Sequence, residues 1–224
     1  MSISPLPPKS EKELLERARL LAGLTLAELA IKFNQPVPKD HLHAKGWIGQ
    51  LIEVALGATA SSLAEPDFQL IGIELKTLPL TNSGKPKEST YVCTVPLTKL
   101  HEEEWQTCWL KRKLQRVLWL PLEADKRIPI AERHIGNAIL WSPSNTQAIQ
   151  LQQDWEELME LVCLGKLDQI SSHMGCYLQI RPKGANAKSL TTTLDEEGNM
   201  IQTLPRGFYL RPDFTQQIIQ AHYA

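Results

Sequence analysis

Apolar residues recur along this chain with two different periods, and the switches between them mark out its elements. Leu14, Leu15, Ala18 and Leu21 fall three and four apart, the spacing that lines one side of an α-helix, and Ser10 ahead of Glu11 and Glu13 supplies an N-cap. Gly23 ends that helix. Thr25, with Glu28 three residues on, forms a capping box for a second, short helix whose Leu26, Leu29 and Ala30 face inward. Residues 35–38 then read as a loop. Residues 47–56 predict a third helix, with Ile48, Leu51, Ile52 and Ala55 as its apolar stripe, Gly57 as its terminator, and Glu53 off the stripe on the side of Gln50. The period then shortens to two. Residues 71–80 alternate as a strand, residues 90–95 and 117–122 read as its neighbours, and Asn82-Ser83-Gly84-Lys85 reads as the turn between the first two. Residues 135–141 predict a further strand, and residues 146–164 the longest helix, with Trp155, Leu158, Met159 and Val162 inward. A strand at 177–181, a hairpin turn at Glu196-Glu197-Gly198-Asn199, a closing strand at 208–210 and a terminal helix at 214–222 complete the pattern.

This order predicts an α/β fold, a mixed central sheet flanked by helices, without internal repeats and without the regular alternation of a doubly wound sheet. The 224 residues suit a single domain over 1–224 with two lobes, and the Pro- and Ser-rich residues 1–9 read as a flexible tail. Hydrophobic residues at 42% and charged residues at 22% are those of an ordinary soluble protein. No apolar run is long enough to span a membrane and no secretory signal is visible, so a cytoplasmic monomer is expected. Cys93, Cys108, Cys163 and Cys176 are widely separated and read as reduced, mostly buried thiols. His41 and His43 lack a second pair of ligands for zinc. The net charge of −1 carries no footprint of a strong nucleic-acid binder, so any such role must rest on local clusters. Two exist: Lys111, Arg112, Lys113 and Arg116, and Arg181, Lys183 and Lys188. Either alone reads as a solvated face.

The chemistry concentrates in Glu65-Pro66-Asp67 and the following Ile71-Gly72-Ile73-Glu74-Leu75-Lys76-Thr77. Side chains alternate along a strand, so Glu74 and Lys76 share one face, with Cα atoms about 6.6 Å apart at about 3.3 Å per residue. Ile71, Ile73 and Leu75 take the other face. Asp67 stands at the strand's approach, where a turn can fold its carboxylate toward Glu74. Two converging carboxylates suit a hard cation such as Mg²⁺, which takes one or two of them together with waters and substrate phosphate. A lysine beside them can hold or deprotonate the attacking water and offset charge at phosphorus. Phosphodiester cleavage needs those parts, yet the triplet Glu-x-Lys alone occurs on countless exposed strands.

The wider sequence makes the pattern specific. Pro66-Asp67 with Glu74-Leu75-Lys76 matches the PD-(D/E)xK nuclease pattern, and the chain resembles the MutH mismatch-repair family in KGWIG (45–49), GIELKTLP (72–79), LQRVLW (114–119), DWEELME (154–160), LQIRPKGANAK (178–188) and LPRGFYL (204–210). The likeness runs in the family's order from about residue 12 to 221. It implies a restriction-endonuclease-like fold with two lobes around a DNA cleft. Asp67, Glu74 and Glu53 would be metal ligands, Lys76 the catalytic lysine and Lys113 a further active-site lysine. Mg²⁺ would be the cofactor, with Mn²⁺ as a substitute. Lys45, Arg181, Pro182, Lys183 and Tyr209 would contact DNA, Arg181 suiting guanine and Tyr209 sensing adenine methylation. The implied activity is nicking of the unmethylated strand 5′ to the G of hemimethylated or unmethylated GATC, leaving a 5′-phosphate and a 3′-hydroxyl. Its implied partners are double-stranded DNA containing GATC, ATP-bound MutL as activator and, indirectly, MutS, with the terminal helix as part of the partner surface. Residues 41–44, Leu63 and Trp109 depart from the family's pattern and bear on DNA affinity more than on chemistry. Two alternatives stand beside this reading: an autonomous GATC-specific restriction endonuclease that cuts both strands, and a DNA-binding module that has lost catalysis.

Overall fold

The computed structural model of the chain describes residues 5–38, 41–60, 65–98, 100–184 and 188–223, with the backbone alone at 41–43 and 101. Its helices are α1 (Glu11–Arg19), α2 (Leu26–Lys32), α3 (His41–Leu56), α4 (Trp109–Leu114), α5 (Asn145–Cys163) and α6 (Pro212–Tyr223). Its strands are β1 (Glu74–Leu80), β2 (Thr90–Thr94), β3 (Val117–Glu123), β4 (Ile139–Trp141), β5 (Leu178–Pro182), β6 (Thr191–Leu194), β7 (Met200–Thr203) and β8 (Arg206–Leu210). The result is a mixed α/β fold of small sheets flanked by helices.

Helix starts follow their local signals. The Ser10 hydroxyl accepts the Glu13 N–H at 3.2 Å, and on α2 the Thr25 hydroxyl accepts the Glu28 N–H at 3.2 Å while the Glu28 carboxylate accepts the Thr25 N–H at 2.8 Å. Each bond satisfies a donor that the first helical turn leaves without an intrahelical partner. Thr25→Ala removes one half of that exchange and is expected to cost about 1 kcal/mol. A lower urea midpoint with unchanged slope is the check, and an unmoved midpoint would show the cap to be dispensable. Helix α3 begins at His41, six residues ahead of the 47 from which the apolar periodicity marked it; Gly57, at φ 82°, ends it.

The chain forms two compact units. One comprises Met1–Lys87, Gln115–Ser142 and Ile219–Ala224, the other Glu88–Leu114 and Pro143–Ile218. In the first, α1, α2 and α3 pack with a sheet of order β1-β3-β4, in which β1 and β3 are parallel and β3 and β4 antiparallel. Its core joins Leu14, Leu26, Leu29, Leu51, Ile52, Phe68, Ile73, Leu118 and Leu120, all at most 2% exposed. In the second, an antiparallel sheet of order β2-β8-β5 lies with the β6–β7 hairpin, and α5 buries Leu151, Trp155, Leu158, Met159 and Val162.

Several expectations are corrected. The strand read from 71 begins at Glu74, because residues 69–71 form a 3-10 turn and Gly72 is left-handed at φ 64°. Residues 90–95 were expected beside 71–80, but β2 pairs with β8. The Asn82–Lys85 turn does form, with the Thr81 N–H bonded to the Lys85 carbonyl at 2.8 Å, yet it returns the chain only to an isolated bridge between Leu80 and Pro86. Pro79, whose carbonyl accepts the Lys87 N–H at 2.9 Å, lacks the N–H that a longer ladder would need in return. The strand at 135–141 shortens to β4, with Ile135 in a separate bridge to Leu122. The short α4 and strands β6 and β7 escaped the periodicity, which needs a longer window than they offer. The four cysteines are thiols outside any disulfide, Cys93 and Cys108 buried but Cys163 and Cys176 exposed, so burial is half what was expected.

Of the tail expected to be flexible, residues 1–4 lie outside the described residues, while the Leu6 carbonyl accepts from Arg17 at 2.6 Å. Leu63 and the side chains of His41, Leu42 and His43 also lie outside the described residues. No described helix is long and apolar enough to cross a membrane.

Candidate functional site

The positive φ of Gly72 is what brings the acids together. It lets the chain reverse so that Phe68 and Ile73 pair as an antiparallel bridge, their N–H groups bonding each other's carbonyls at 2.9 and 3.3 Å. Extending that bridge one step outward sets residue 67 opposite residue 74. Asp67 Oδ2 then accepts the Leu75 N–H at 2.8 Å, and the Asp67 carbonyl accepts from Thr59 and Ala60. Glu74 is held from the other side, its N–H bonded to the Arg116 carbonyl at 2.9 Å where β1 meets β3. Both carboxylates are buried, Asp67 at 6% and Glu74 at 1% exposed, and the Lys76 ammonium contacts Glu74 Oε1. Alternation sends Ile73 and Leu75 into the core of the first unit and leaves Glu74 and Lys76 on the opposite side of β1. Across the ladder from Lys76, Trp119 is 1% exposed, and its indole N–H has no hydrogen-bond partner among the described residues.

Two buried carboxyl groups and an ammonium thus gather at one end of β1, in a poorly solvated place. Hard oxygen donors on two adjoining backbone segments fit a divalent cation that binds few protein ligands. No group of three or more His, Cys, Asp or Glu side chains suited to a metal ion forms among the described residues, so the fit rests on Asp67 and Glu74.

Glu53 and Lys45 both belong to α3, eight residues apart and therefore on one side of it, with Gly49 between them. A Cβ placed on Gly49 would lie 4.0 Å from Glu53 Oε1, so the carboxylate points back along this bare stretch toward the helix start. The apolar stripe of the same helix shares a core with Ile73 and Leu75, which fixes α3 against the back of β1.

The remaining expected residues lie in the second unit. Lys113, on α4, is only 7% exposed and stands 5.7 Å from the Trp109 ring, unlike its neighbour Arg112, which is exposed. The first basic cluster is therefore not one patch. Arg116 is in the first unit, bonded to Glu11 at 2.8 and 2.9 Å.

Arg181 and Tyr209 meet on the β2-β8-β5 sheet, whereas Pro182, paired with Arg206, alternates to its other side. The register sets Tyr91, Tyr209 and Gln179 abreast, and Thr94, Gly207 and Arg181 abreast two positions on, so one side of the sheet gathers them. The Tyr91 and Tyr209 rings pack edge to face at 5.4 Å. The Arg181 guanidinium lies 5.7 Å from the Tyr209 ring, and Lys183 Nζ lies 3.2 Å from the Tyr91 centroid. Gly207 is required between the rings, since a Cβ there would sit 2.9 Å from Tyr91 Cε2 and 3.0 Å from Tyr209 Cε2. Burial pushes the Tyr209 hydroxyl above its ordinary range, keeping it protonated at neutral pH. Ser89 Oγ accepts from Gln179 Nε2 at 2.7 Å and lies 3.5 Å from Arg181 Nη1. Sequence reasoning missed Tyr91, Ser89 and Gln179. The alternation in Thr90-Tyr91-Val92 signalled an outward tyrosine, but nothing local showed which strand lay beside it.

The comparisons agree on one group of proteins. The family model for DNA mismatch repair enzyme MutH matches residues 56–154. The chain is 55% identical over 213 residues to the DNA mismatch repair protein MutH of Haemophilus ducreyi, covering 95% of this chain and 94% of the relative. It is 52% identical over 213 residues to that of Vibrio vulnificus, and 52% identical over 217 residues to that of Shewanella amazonensis, the latter covering 97% of both chains.

Proposed function

The chain belongs to the MutH family of DNA mismatch repair proteins, and on that premise we propose that it is a Mg²⁺-dependent endonuclease that nicks the unmethylated strand at GATC. The observation that carries the chemistry is the convergence of Asp67, Glu74 and Lys76 through the Gly72 reversal. Asp67 and Glu74 hold the metal, with Mn²⁺ as a substitute, and Glu53 adds a carboxylate from α3. The bound ion supplies Lewis acidity at the phosphate and a more acidic water. Lys76 holds the attacking water by its ammonium and offsets the negative charge that builds on the phosphate oxygens, most strongly at the transition state. The water oxygen gives up a proton to solvent as it bonds to phosphorus, the bond to the 3′ oxygen breaks, and that oxygen takes a proton from solvent, which leaves a 5′-phosphate and a 3′-hydroxyl. The family resemblance assigns a further lysine of the reaction to Lys113, which is buried on α4 of the second unit.

Recognition falls to the β2-β8-β5 sheet. Arg181 offers a planar fork to guanine O6 and N7, Lys183 and Lys45 hold phosphates, and Tyr209 meets the adenine edge where a methyl group would stand. The Tyr91 and Tyr209 rings restrain the cations before DNA arrives, each such contact being worth about 0.5–1 kcal/mol at an exposed site. With a net charge of −1 the protein should bind DNA weakly and lose that binding steeply as salt rises, which suits an enzyme recruited by a partner. MutL in its ATP-bound state fills that role here, acting after MutS.

The deciding assay uses supercoiled GATC plasmid with Mg²⁺, unmethylated and methylated, with and without MutL and ATP. Open circles that depend on MutL and on unmethylated sites are expected. Linear product without the partner would mark an autonomous restriction enzyme instead, and no cutting at any protein concentration would leave only DNA binding.

A further inference from the structure

The segment at residues 171–178, between the 3-10 turn Leu167–Gln169 and β5 in the second unit, is gripped by two opposite charges. Asp154, on α5 and only 2% exposed, accepts three consecutive backbone N–H groups: Cys176 at 2.9 Å, Tyr177 at 2.6 Å and Leu178 at 2.8 Å. Gln150 Nε2 donates to the same carboxylate at 2.9 Å. From the other side, the Arg211 guanidinium donates to the carbonyls of Ser172 at 2.7 Å, Met174 at 2.6 Å and Gly175 at 2.9 Å, and the Arg211 N–H donates to the Tyr177 carbonyl at 2.8 Å. A buried carboxylate with this many donors and a guanidinium with this many acceptors are charge-assisted contacts, stronger than neutral ones. They spend one acid and one base on a short turn.

That turn leads straight into the reading strands. Leu178, bonded to Asp154, is the first residue of β5 and pairs with Leu210; Gln179 pairs with Tyr209 and Arg181 with Gly207. Arg211 directly follows β8. We propose that Asp154 and Arg211 are positioning residues that lock the β5–β8 register and so aim Arg181 and Tyr209 at the bases, an inference that rests on the reading of those two residues as DNA contacts. The physical reason is the period of a strand. A slip of one residue turns every side chain to the other side, so a ladder this short needs its end pinned. The ladder pairs only five residues, from Leu178↔Leu210 to Pro182↔Arg206; the Lys183 N–H bonds the Pro205 carbonyl at 2.6 Å beyond its far end, and the near end is the one that Asp154 and Arg211 hold. Neither Asp154 nor Arg211 touches substrate in this account. They act through the backbone.

The test compares full-length Asp154→Asn, Arg211→Ala and Arg211→Lys with the parent protein on two duplexes, one carrying GATC and one with a single base pair of that site changed. Amide hydrogen exchange is followed at residues 176–181 and 207–211. Asp154→Asn and Arg211→Ala should lower the preference for GATC by about tenfold, the discrimination of one bidentate base contact, through KM more than kcat. Their exchange should rise at those amides alone. Arg211→Lys, which keeps a cation with several donors, should restore most of the preference. If the parent prefers GATC and the variants do so equally, the lock is wrong and the base-contact reading stands. If the parent shows no preference, the base-contact reading fails and takes the lock with it. Loss of protection throughout the second unit would mark an ordinary folding role and overturn positioning, and Arg211→Ala, at a half-buried site, keeps that outcome readable should Asp154→Asn fail to fold.

Discussion

Glu74→Ala should reduce nicking by roughly a thousandfold or more while leaving metal-independent retention of DNA close to that of the parent protein. The asymmetry follows from where Glu74 sits. Its carboxylate is 1% exposed and touches Lys76, on a strand whose other side is core, so it has little direct part in holding a large polyanion. In the proposed chemistry it holds the cation and keeps Lys76 oriented, both of which matter most as charge builds at phosphorus. Removing one partner of a buried ion pair also costs stability, and Glu74→Gln keeps the shape while removing the charge. Nicking rates at saturating DNA, beside gel retention without divalent metal, separate the two effects. Normal cutting by both variants would remove Glu74 from the reaction.

The second large effect concerns folding. Gly175→Ala should destabilise the second unit by about 3 kcal/mol or more. Gly175 is left-handed at φ 75°, and a Cβ there would lie 2.2 Å from the Leu178 carbonyl oxygen. Backbone cannot swing aside as the end of a lysine would, and this backbone is held by Asp154 and Arg211. Gly198 isolates the two contributions: it has nearly the same conformation, φ 81°, but nothing within 4 Å of its missing Cβ. Gly198→Ala should therefore cost only the conformational share, about 1 kcal/mol. Denaturant melts of the two variants give the comparison, and equal midpoints would mean that the crowding at Gly175 relaxes without cost.

What could be read ahead of the structure was local. Ser10, the Thr25–Glu28 pair and Gly57 mark helix ends because a cap acts within a few residues, and the inward side of α5 follows from its period alone. Asp67 and Glu74 were legible together for the same reason: a short reversal at Gly72 joins them. The partner of a strand is a different kind of fact. Both 71–80 and 90–95 looked like neighbours because they adjoin in sequence, yet β2 pairs with β8, more than a hundred residues on, and no local pattern encodes that choice. Tyr91 was missed with it. The same limit misled the grouping of charges. Lys113 and Arg116 stand close in sequence, but α4 ends between them, at Leu114, and β3 begins just after, at Val117, so one is buried beside Trp109 and the other bonds Glu11. Lys113 stood out only through the family's motif.

The chain leaves its first unit after Lys87, comes back at Gln115, leaves again after Ser142 and comes back at Ile219. Neither unit can thus be expressed as an uninterrupted fragment, and a trimming experiment that removes one end cannot isolate one unit from the other. During synthesis the segment from Ile219 is added after every residue of the second unit, so the first unit is completed only once the second has been made in full.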